Sequence, residues 1–236
     1  MNNKKPLIVF VLICATVASF FWGGYHALMP WLFLSGLSIV SVICLWSSSY
    51  IDTRSLVTLT IASMVLAAVD EYAHTSSGAF RYFDGMTPSP LAVFGWSLFV
   101  LGIVATAKFL HQRIPLGSLD GSASRVILPL IPFFLVIVLA WAQGYLRFFD
   151  PLLISVYFCL FAASLYYSRL HQYGWCIWVV ISSLIFSAIM EYLGGIEGLW
   201  VYQFDEPMAL FIVFTWALRV LTILAVSSFF GVEIQE

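Results

Sequence analysis

Two glutamates, each followed by the same spaced set of residues, are the side chains best suited to do chemistry. Glu71-Tyr72 recurs 120 positions later as Glu191-Tyr192. The residues that follow at matching distances are Gly78, Phe80, Tyr82 and Trp96 in the first copy and Gly198, Trp200, Tyr202 and Trp216 in the second. Because charged residues make up only 9% of the chain, this coincidence indicates an internal duplication.

A repeated carboxyl group in apolar surroundings predicts a functional site. Burial favours the protonated form of a carboxyl group, which can donate its proton to an alkene. Aromatic faces can then stabilise the resulting carbocation. The same acids could instead load and release protons during transport. A structural alternative is that each glutamate braces the loop that follows it, or reaches the headgroups of the lipid.

The two copies differ at positions that carry charge. Asp70 in the first copy corresponds to Met190, and Arg219 in the second copy corresponds to Phe99. Since an unpaired guanidinium inside a membrane is costly, we expect an intramembrane partner for Arg219. The candidates for that partner are Asp70, Glu71 and Glu191. The resulting ion pair would either hold the two halves together or contact the substrate.

The sequence predicts which residues form the site. The catalytic candidates are Glu71, Glu191, Asp70 and His74, with His74 placed in the segment 73–89 that follows the third helix. The candidates for substrate binding are Tyr82, Tyr202, Trp96, Trp216, Trp200, Phe80 and Arg219. No cofactor is expected, and a metal held by Asp70, Glu71, His74 and Glu191 is a minor alternative. The chain has no Gly-rich phosphate loop, no HExxH and no GxSxG.

The composition defines the environment in which these residues lie. Hydrophobic residues make up 62% of the 236 residues, and the mean hydropathy is +0.99. A soluble domain needs more charge than this to cover its surface, so the composition predicts an integral membrane protein. A net charge of -2 argues against nucleic acid as a partner.

Apolar runs of about 20 residues predict an all-α, polytopic fold with about eight transmembrane helices. We place them at about 6–24, 28–47, 54–72, 90–110, 125–143, 150–168, 173–192 and 207–230. The duplication groups them into two four-helix repeats, 1–120 and 121–236, within one membrane domain. Because each repeat has an even number of spans, the copies are parallel and related by a pseudo-twofold axis along the membrane normal.

The distribution of Lys and Arg predicts the orientation. An inward N-terminus places most of the basic residues on the cytoplasmic side: Lys4, Lys5, Arg54, Lys108, Arg113, Arg125 and Arg169. The outer segments then hold Arg81 and Arg147. Both termini are therefore predicted to be cytoplasmic, in a plasma membrane. The sequence leaves the oligomeric state open, a homo-oligomer included.

A family resemblance adds a substrate class to this prediction. The run from Glu191 to Tyr202 resembles the E-x2-G-x3-G…Y signature of the acyclic carotenoid hydratases, and the stretch from Pro90 to Trp96 resembles the helix start that follows it. The duplication is similar to that of membrane lycopene cyclases and integral-membrane terpene cyclases. The resemblance implies that Glu71 and Glu191 are the acids and that Tyr82, Tyr202, Trp96 and Trp216 shape the pocket.

The resulting expectation is a membrane enzyme that protonates a double bond of an isoprenoid or carotenoid-like lipid. The product would arise by hydration (a lyase) or by cyclisation (an isomerase). The alternative from another class is a small transporter or lipid-binding protein with a central acidic site between the repeats. A non-catalytic membrane scaffold is the third hypothesis.

Overall fold

The computed structural model describes residues 5–22, 31–47, 51–116, 122–204 and 206–232. Eight α-helices lie in these ranges: α1 (Lys5–Trp22), α2 (Trp31–Ser47), α3 (Thr53–Ser76), α4 (Pro90–Arg113), α5 (Ser122–Ala142), α6 (Pro151–Leu170), α7 (Tyr173–Ile196) and α8 (Leu210–Phe229). Six of them, α3 to α8, are long and apolar enough to cross a membrane, while the apolar parts of α1 and α2 are shorter. The fold is therefore helical and of the multi-pass membrane type.

Local sequence sets where the helices begin and end. Asp52 accepts a hydrogen bond from the Ser55 amide at the start of α3 (3.0 Å), and Asp150 caps α6 in the same way. Helices α3 and α7, which carry Glu71 and Glu191, end before Gly78 and Gly198. These glycines adopt φ values of +81° and +72°, a left-handed conformation that ends a helix with little strain in glycine.

Two short strands follow these glycines and join the halves of the chain. Strand β1 (Phe80–Tyr82) pairs with β2 (Trp200–Tyr202) in antiparallel register, with Phe80 opposite Tyr202 and Tyr82 opposite Trp200. Two further backbone bonds extend the ladder, one on each side. In the duplication, Phe80 corresponds to Trp200 and Tyr82 corresponds to Tyr202. The pair Phe80–Tyr202 is therefore equivalent to the pair Trp200–Tyr82, and the ladder is symmetric about the central pair of Arg81 and Val201.

The two most enclosed helices, α4 and α8, form the centre of the bundle. Helix α4 packs against α1, α2, α3 and α7, and α8 packs against the corresponding helices α5, α6, α7 and α3. Each contact in one half has a counterpart in the other. The centre is built from small and medium side chains, such as Gly102, which lets Val40 and Phe186 approach closely.

The structure corrects two sequence-based expectations. His74 was predicted to lie in a loop, but α3 continues through it to Ser76, because His74 is fully buried and its Nδ1 lies 2.8 Å from the carbonyl of Asp70 one turn earlier. The strands were not predicted, because runs of three residues carry too little periodicity. Lys4 and the predicted boundary between the repeats at 120 and 121 lie outside the described residues.

Candidate functional site

Glu71 is held by two hydrogen-bond donors near the end of α3. The Tyr82 hydroxyl donates to its Oε2 (2.7 Å), and the Trp96 indole N–H donates to its Oε1 (2.9 Å). Tyr82 comes from β1 and Trp96 from α4, so three consecutive elements fix one carboxyl group. Glu71 is only 3% exposed.

Glu191 has the same arrangement in the second half. The Tyr202 hydroxyl donates to its Oε2 (2.6 Å), and the Trp216 indole N–H donates to its Oε1 (2.7 Å). The recurrence of Tyr and Trp after each glutamate therefore has a physical reason, because one donor binds each carboxyl oxygen. An acid that merely reached the headgroups would not need these two bonds.

Both tyrosines act as donors over the whole accessible pH range. Burial, and next the negative charge of the glutamate that each one bonds, raise the pKa of Tyr82 and Tyr202 well above the ordinary value for tyrosine. The phenol proton therefore stays on the tyrosine, and each carboxyl oxygen keeps a further site for a proton or for another partner.

The two sites meet at the centre of the bundle through their tryptophans. The ring centroids of Trp96 and Trp216 lie 4.5 Å apart. The guanidinium carbon of Arg219 lies 4.5 Å from the Trp96 centroid and 5.1 Å from the Trp216 centroid. The cation and the two rings therefore form a compact triangle, in which the aromatic faces help to stabilise the buried charge.

Arg219 is paired with Asp70, one of the three partners expected from the sequence. The distance from Arg219 Nη2 to Asp70 Oδ2 is 2.5 Å, and the two side chains are 1% and 0% exposed. Asp70 Oδ1 and Arg219 Nε have no hydrogen-bond partner among the described residues. The pair connects α3 of the first half to α8 of the second half.

A chain of polar side chains continues from Asp70. His74 Nδ1 lies 3.2 Å from Asp70 Oδ2, and His74 Nε2 lies 2.8 Å from the hydroxyl of Tyr157. Because both atoms next to Nδ1 are acceptor oxygens, Nδ1 carries a proton, and a neutral ring accepts from Tyr157 at Nε2. Arg219, Asp70, His74 and Tyr157 thus form one buried network, which we call the polar network.

One cavity contains both glutamates. Its volume is about 70 Å³, taken as the space open to the centre of a water-sized sphere. That space exceeds what a few water molecules need and fits a short apolar segment. The polar lining residues are Thr16, Glu71, Glu191, Tyr82, Tyr202 and Arg219. The apolar and aromatic remainder includes Phe33, Leu37, Val40, Phe80, Trp96, Phe99, Met190, Trp200 and Trp216.

The cavity and the polar network occupy corresponding places in the two halves. The network residues Tyr157, Asp70, His74 and Arg219 correspond, 120 positions away, to Leu37, Met190, Gly194 and Phe99. Three of these four counterparts, Leu37, Met190 and Phe99, line the cavity. The positions that hold the hydrogen-bonded polar network therefore correspond to positions that hold apolar side chains around the cavity.

Gly194 makes room for a wall of the cavity. A Cβ atom at this position would lie 2.1 Å from Cζ2 of Trp200, so the indole ring packs directly on the helix backbone. In the first half the same two positions hold His74 and Phe80, whose rings lie 5.9 Å apart. A large ring over glycine thus replaces a smaller ring over histidine.

The Gly194→Ala variant is expected to move the Trp200 ring and to lower the free energy of unfolding by about 1–3 kcal/mol, because the added methyl group overpacks the contact. Gly95→Ala is the matched control, since the nearest atom to its added Cβ is Thr16 Cγ2 at 3.9 Å. The control should be as stable as the parent chain or more so, because alanine favours the helix. Unfolding in mixed micelles measures the stability of both variants. Equal stabilities would contradict the close contact between Gly194 and the Trp200 ring.

The structure places the sequence-predicted residues in two groups. Nine of them line the cavity: Glu71, Glu191, Tyr82, Tyr202, Trp96, Trp216, Trp200, Phe80 and Arg219. Asp70 and His74 belong instead to the polar network behind Arg219. Sequence reasoning missed Tyr157 and the contributions of α1 and α2. Tyr157 could have been found as a further difference between the copies, since its counterpart is Leu37.

Neither a metal site nor a known relative identifies what the candidate site does. Within the described ranges, no group of three or more His, Cys, Asp or Glu residues could hold a metal ion. The sequence matches no family model, and it has no significant match among curated proteins or solved structures. What the site does must therefore be argued from its geometry.

Proposed function

We propose that this protein is a membrane enzyme that protonates a double bond of an apolar, isoprenoid or carotenoid-like lipid. The observation that carries the proposal is an apolar cavity that is lined by two equally held carboxyl groups, Glu71 and Glu191. A scaffold would have no need of such a space, and a solvated acid pair would not lie among aromatic rings.

The charges around the cavity favour an acid that carries its proton. Arg219 is already neutralised by Asp70, so it leaves no full counter-charge for either glutamate. An uncompensated carboxylate among apolar groups is costly. The proposal therefore assigns a protonated carboxyl group to one of the two glutamates, with Tyr and Trp fixing its orientation toward the cavity.

The proposed step transfers the proton from a glutamate oxygen to one carbon of the alkene. The π electrons form the new C–H bond, and the positive charge develops on the other carbon. The faces of Trp96, Trp216 and Phe99 line the cavity and can stabilise this carbocation. Attack by water followed by loss of a proton gives an alcohol, and attack by a second double bond of the same lipid gives a ring. In either case the proton returns to a carboxylate.

The proposal includes the finer architecture. The eight helices form two parallel four-helix repeats, related by a pseudo-twofold axis along the membrane normal that passes between β1 and β2. The symmetric register of the strands and the matched helix contacts support it. Both termini lie in the cytoplasm of a cell with the protein in its plasma membrane, and the chemistry needs no cofactor.

Lipid extracts from a lycopene-producing host, with and without this protein, test the proposal. The expected result is a new species, heavier by one water for hydration or of unchanged mass with a blue-shifted absorbance for cyclisation. Mass spectrometry and absorbance of the separated lipids detect both. Unchanged extracts, with the full-length chain confirmed in the membrane fraction, would refute the carotenoid-like substrate.

A second candidate function is proton-coupled transport or lipid binding, and the polar network favours it. Asp70, His74 and Tyr157 form a buried series of groups that exchange protons, next to the cavity. An enzyme uses such groups to position Arg219, whereas a transporter uses them to couple substrate movement to proton movement. Uptake into proteoliposomes that depends on an imposed pH gradient, without any product formed, would favour this second function.

A further inference from the structure

Two residues that line the cavity carry a buried hydrogen-bond donor with no partner among the described residues. Four donors that line the cavity, from Tyr82, Tyr202, Trp96 and Trp216, are bonded to the two glutamates. Two other N–H groups of lining residues, Nε of Arg219 and Nε1 of Trp200, are buried and have no hydrogen-bond partner among the described residues. A buried N–H without an acceptor is costly, so a ligand that supplies one gains affinity.

Arg219 is the stronger of these two observations. Its side chain is 1% exposed, and its Nη2 is committed to Asp70. The Trp96 and Trp216 rings contact the guanidinium and hold it in place. The Nε–H therefore belongs to a rigidly held group, has no partner among the described residues, and lies on a residue that lines the space where a ligand would lie.

We propose that the cavity binds the oxygen-bearing end of its lipid, with a neutral carbonyl or hydroxyl oxygen accepting from Arg219 Nε and Trp200 Nε1. This inference rests on the proposed function for the reaction, and it adds that the cavity binds an oxygenated isoprenoid more tightly than the matching hydrocarbon. The apolar lining from α2 and α4, which includes Leu37, Val40 and Leu91, contacts the chain beyond the oxygen.

The charges exclude an anionic end. Among the described residues that line the cavity, Arg219 is the one cation and is paired with Asp70, and the carboxyl groups are those of Glu71 and Glu191. A phosphate would therefore meet acids rather than a free cation. A hydroxyl group, by contrast, can accept from an N–H and donate to a carboxyl oxygen at the same time.

Competition between matched isoprenoids tests the inference. The full-length chain in detergent micelles is mixed with farnesol, β-farnesene and farnesyl phosphate at equal mole fractions, and the bound lipid is quantified by mass spectrometry after gel filtration. Farnesol is expected to exceed β-farnesene about tenfold or more, because it pairs a donor on a charged group. Equal binding of farnesol and β-farnesene, or tighter binding of farnesyl phosphate, would overturn the inference.

Variants then assign the preference to the two donors. Trp200→Phe keeps a ring but removes its N–H, and Arg219→Lys keeps the charge beside Asp70 but removes Nε. Each is expected to reduce the preference for farnesol at least about threefold. Trp178→Phe is the control, since that indole donates to the Ile114 carbonyl and does not line the cavity. An unchanged preference in both test variants would contradict the assignment.

The competition experiment can fail independently of the test of the proposed function. Conversion of lipids in the producing host without a preference for farnesol would leave the enzyme and remove the inference. A preference that depends on Trp200 and Arg219, without conversion of any lipid, would leave the binding site and remove the chemistry.

Discussion

Glu71→Gln and Glu191→Gln are each expected to lower the rate of lipid conversion about 10²–10⁴-fold, the usual contribution of a positioned general acid. The amide keeps a carbonyl oxygen for one donor, so the Trp or Tyr contact survives, but it has no proton to give to an alkene. Lipid binding should change little in comparison, because the apolar lining is untouched. Product formation per mole of protein, measured alongside bound lipid, separates the two effects.

Asp52→Asn provides the matched control for these variants. It makes the same change from acid to amide at the opposite end of α3, where asparagine still caps the helix. Conversion by this variant should equal that of the parent chain. Glutamate variants that convert lipid at the parental rate would show that the carboxyl groups brace the structure and take no part in the chemistry.

Asp70→Met is expected to cost about 3–5 kcal/mol of unfolding free energy, because it leaves the buried charge of Arg219 without its partner. Combining it with Arg219→Phe should restore most of that loss. The double variant places at each site the residue found 120 positions away, Met190 and Phe99, which both line the cavity. A coupling of about 2 kcal/mol or more is expected between the two changes.

The coupling free energy between the two changes is obtained from reversible unfolding in mixed micelles. The experiment compares the parent chain, both single variants and the double variant. Arg54→Phe is the control for loss of a guanidinium, since Arg54 binds the Phe230 carbonyl in an exposed position. It should cost less than about 1 kcal/mol. A double variant no more stable than Asp70→Met alone would show that the ion pair is not what stabilises this contact between halves.

The helical fold could be predicted because a membrane imposes simple rules on a sequence. Apolar runs of about 20 residues predicted the helices to within a few residues of their observed ends. The extension of α3 through His74 could not be predicted, because a histidine and a threonine look like loop residues until their buried partners are known. The β1–β2 ladder also depends on two segments that lie far apart in the chain.

Most of the candidate site was predicted because the duplication marks it. The spacing of Tyr and Trp after each glutamate reflects bonds that both copies must make. The position of the cavity was not predictable, since it depends on residues that differ between the copies. Leu37 corresponds to Tyr157 in the duplication. Only the structure shows that Leu37 lines the cavity and that Tyr157 belongs to the polar network.

The ion pair between Asp70 and Arg219 also bears on how such a chain could have evolved. A homodimer of the first half would bury two copies of Asp70 with Phe99 in the place of Arg219, and a homodimer of the second half would bury two copies of Arg219 with Met190 in the place of Asp70. The strand ladder would in the first case place Arg81 opposite itself. In the present chain, each half supplies the partner for the buried charge of the other half. Separation of the two halves into independent genes would then yield an obligate heterodimer, with no return to an ancestral homodimer.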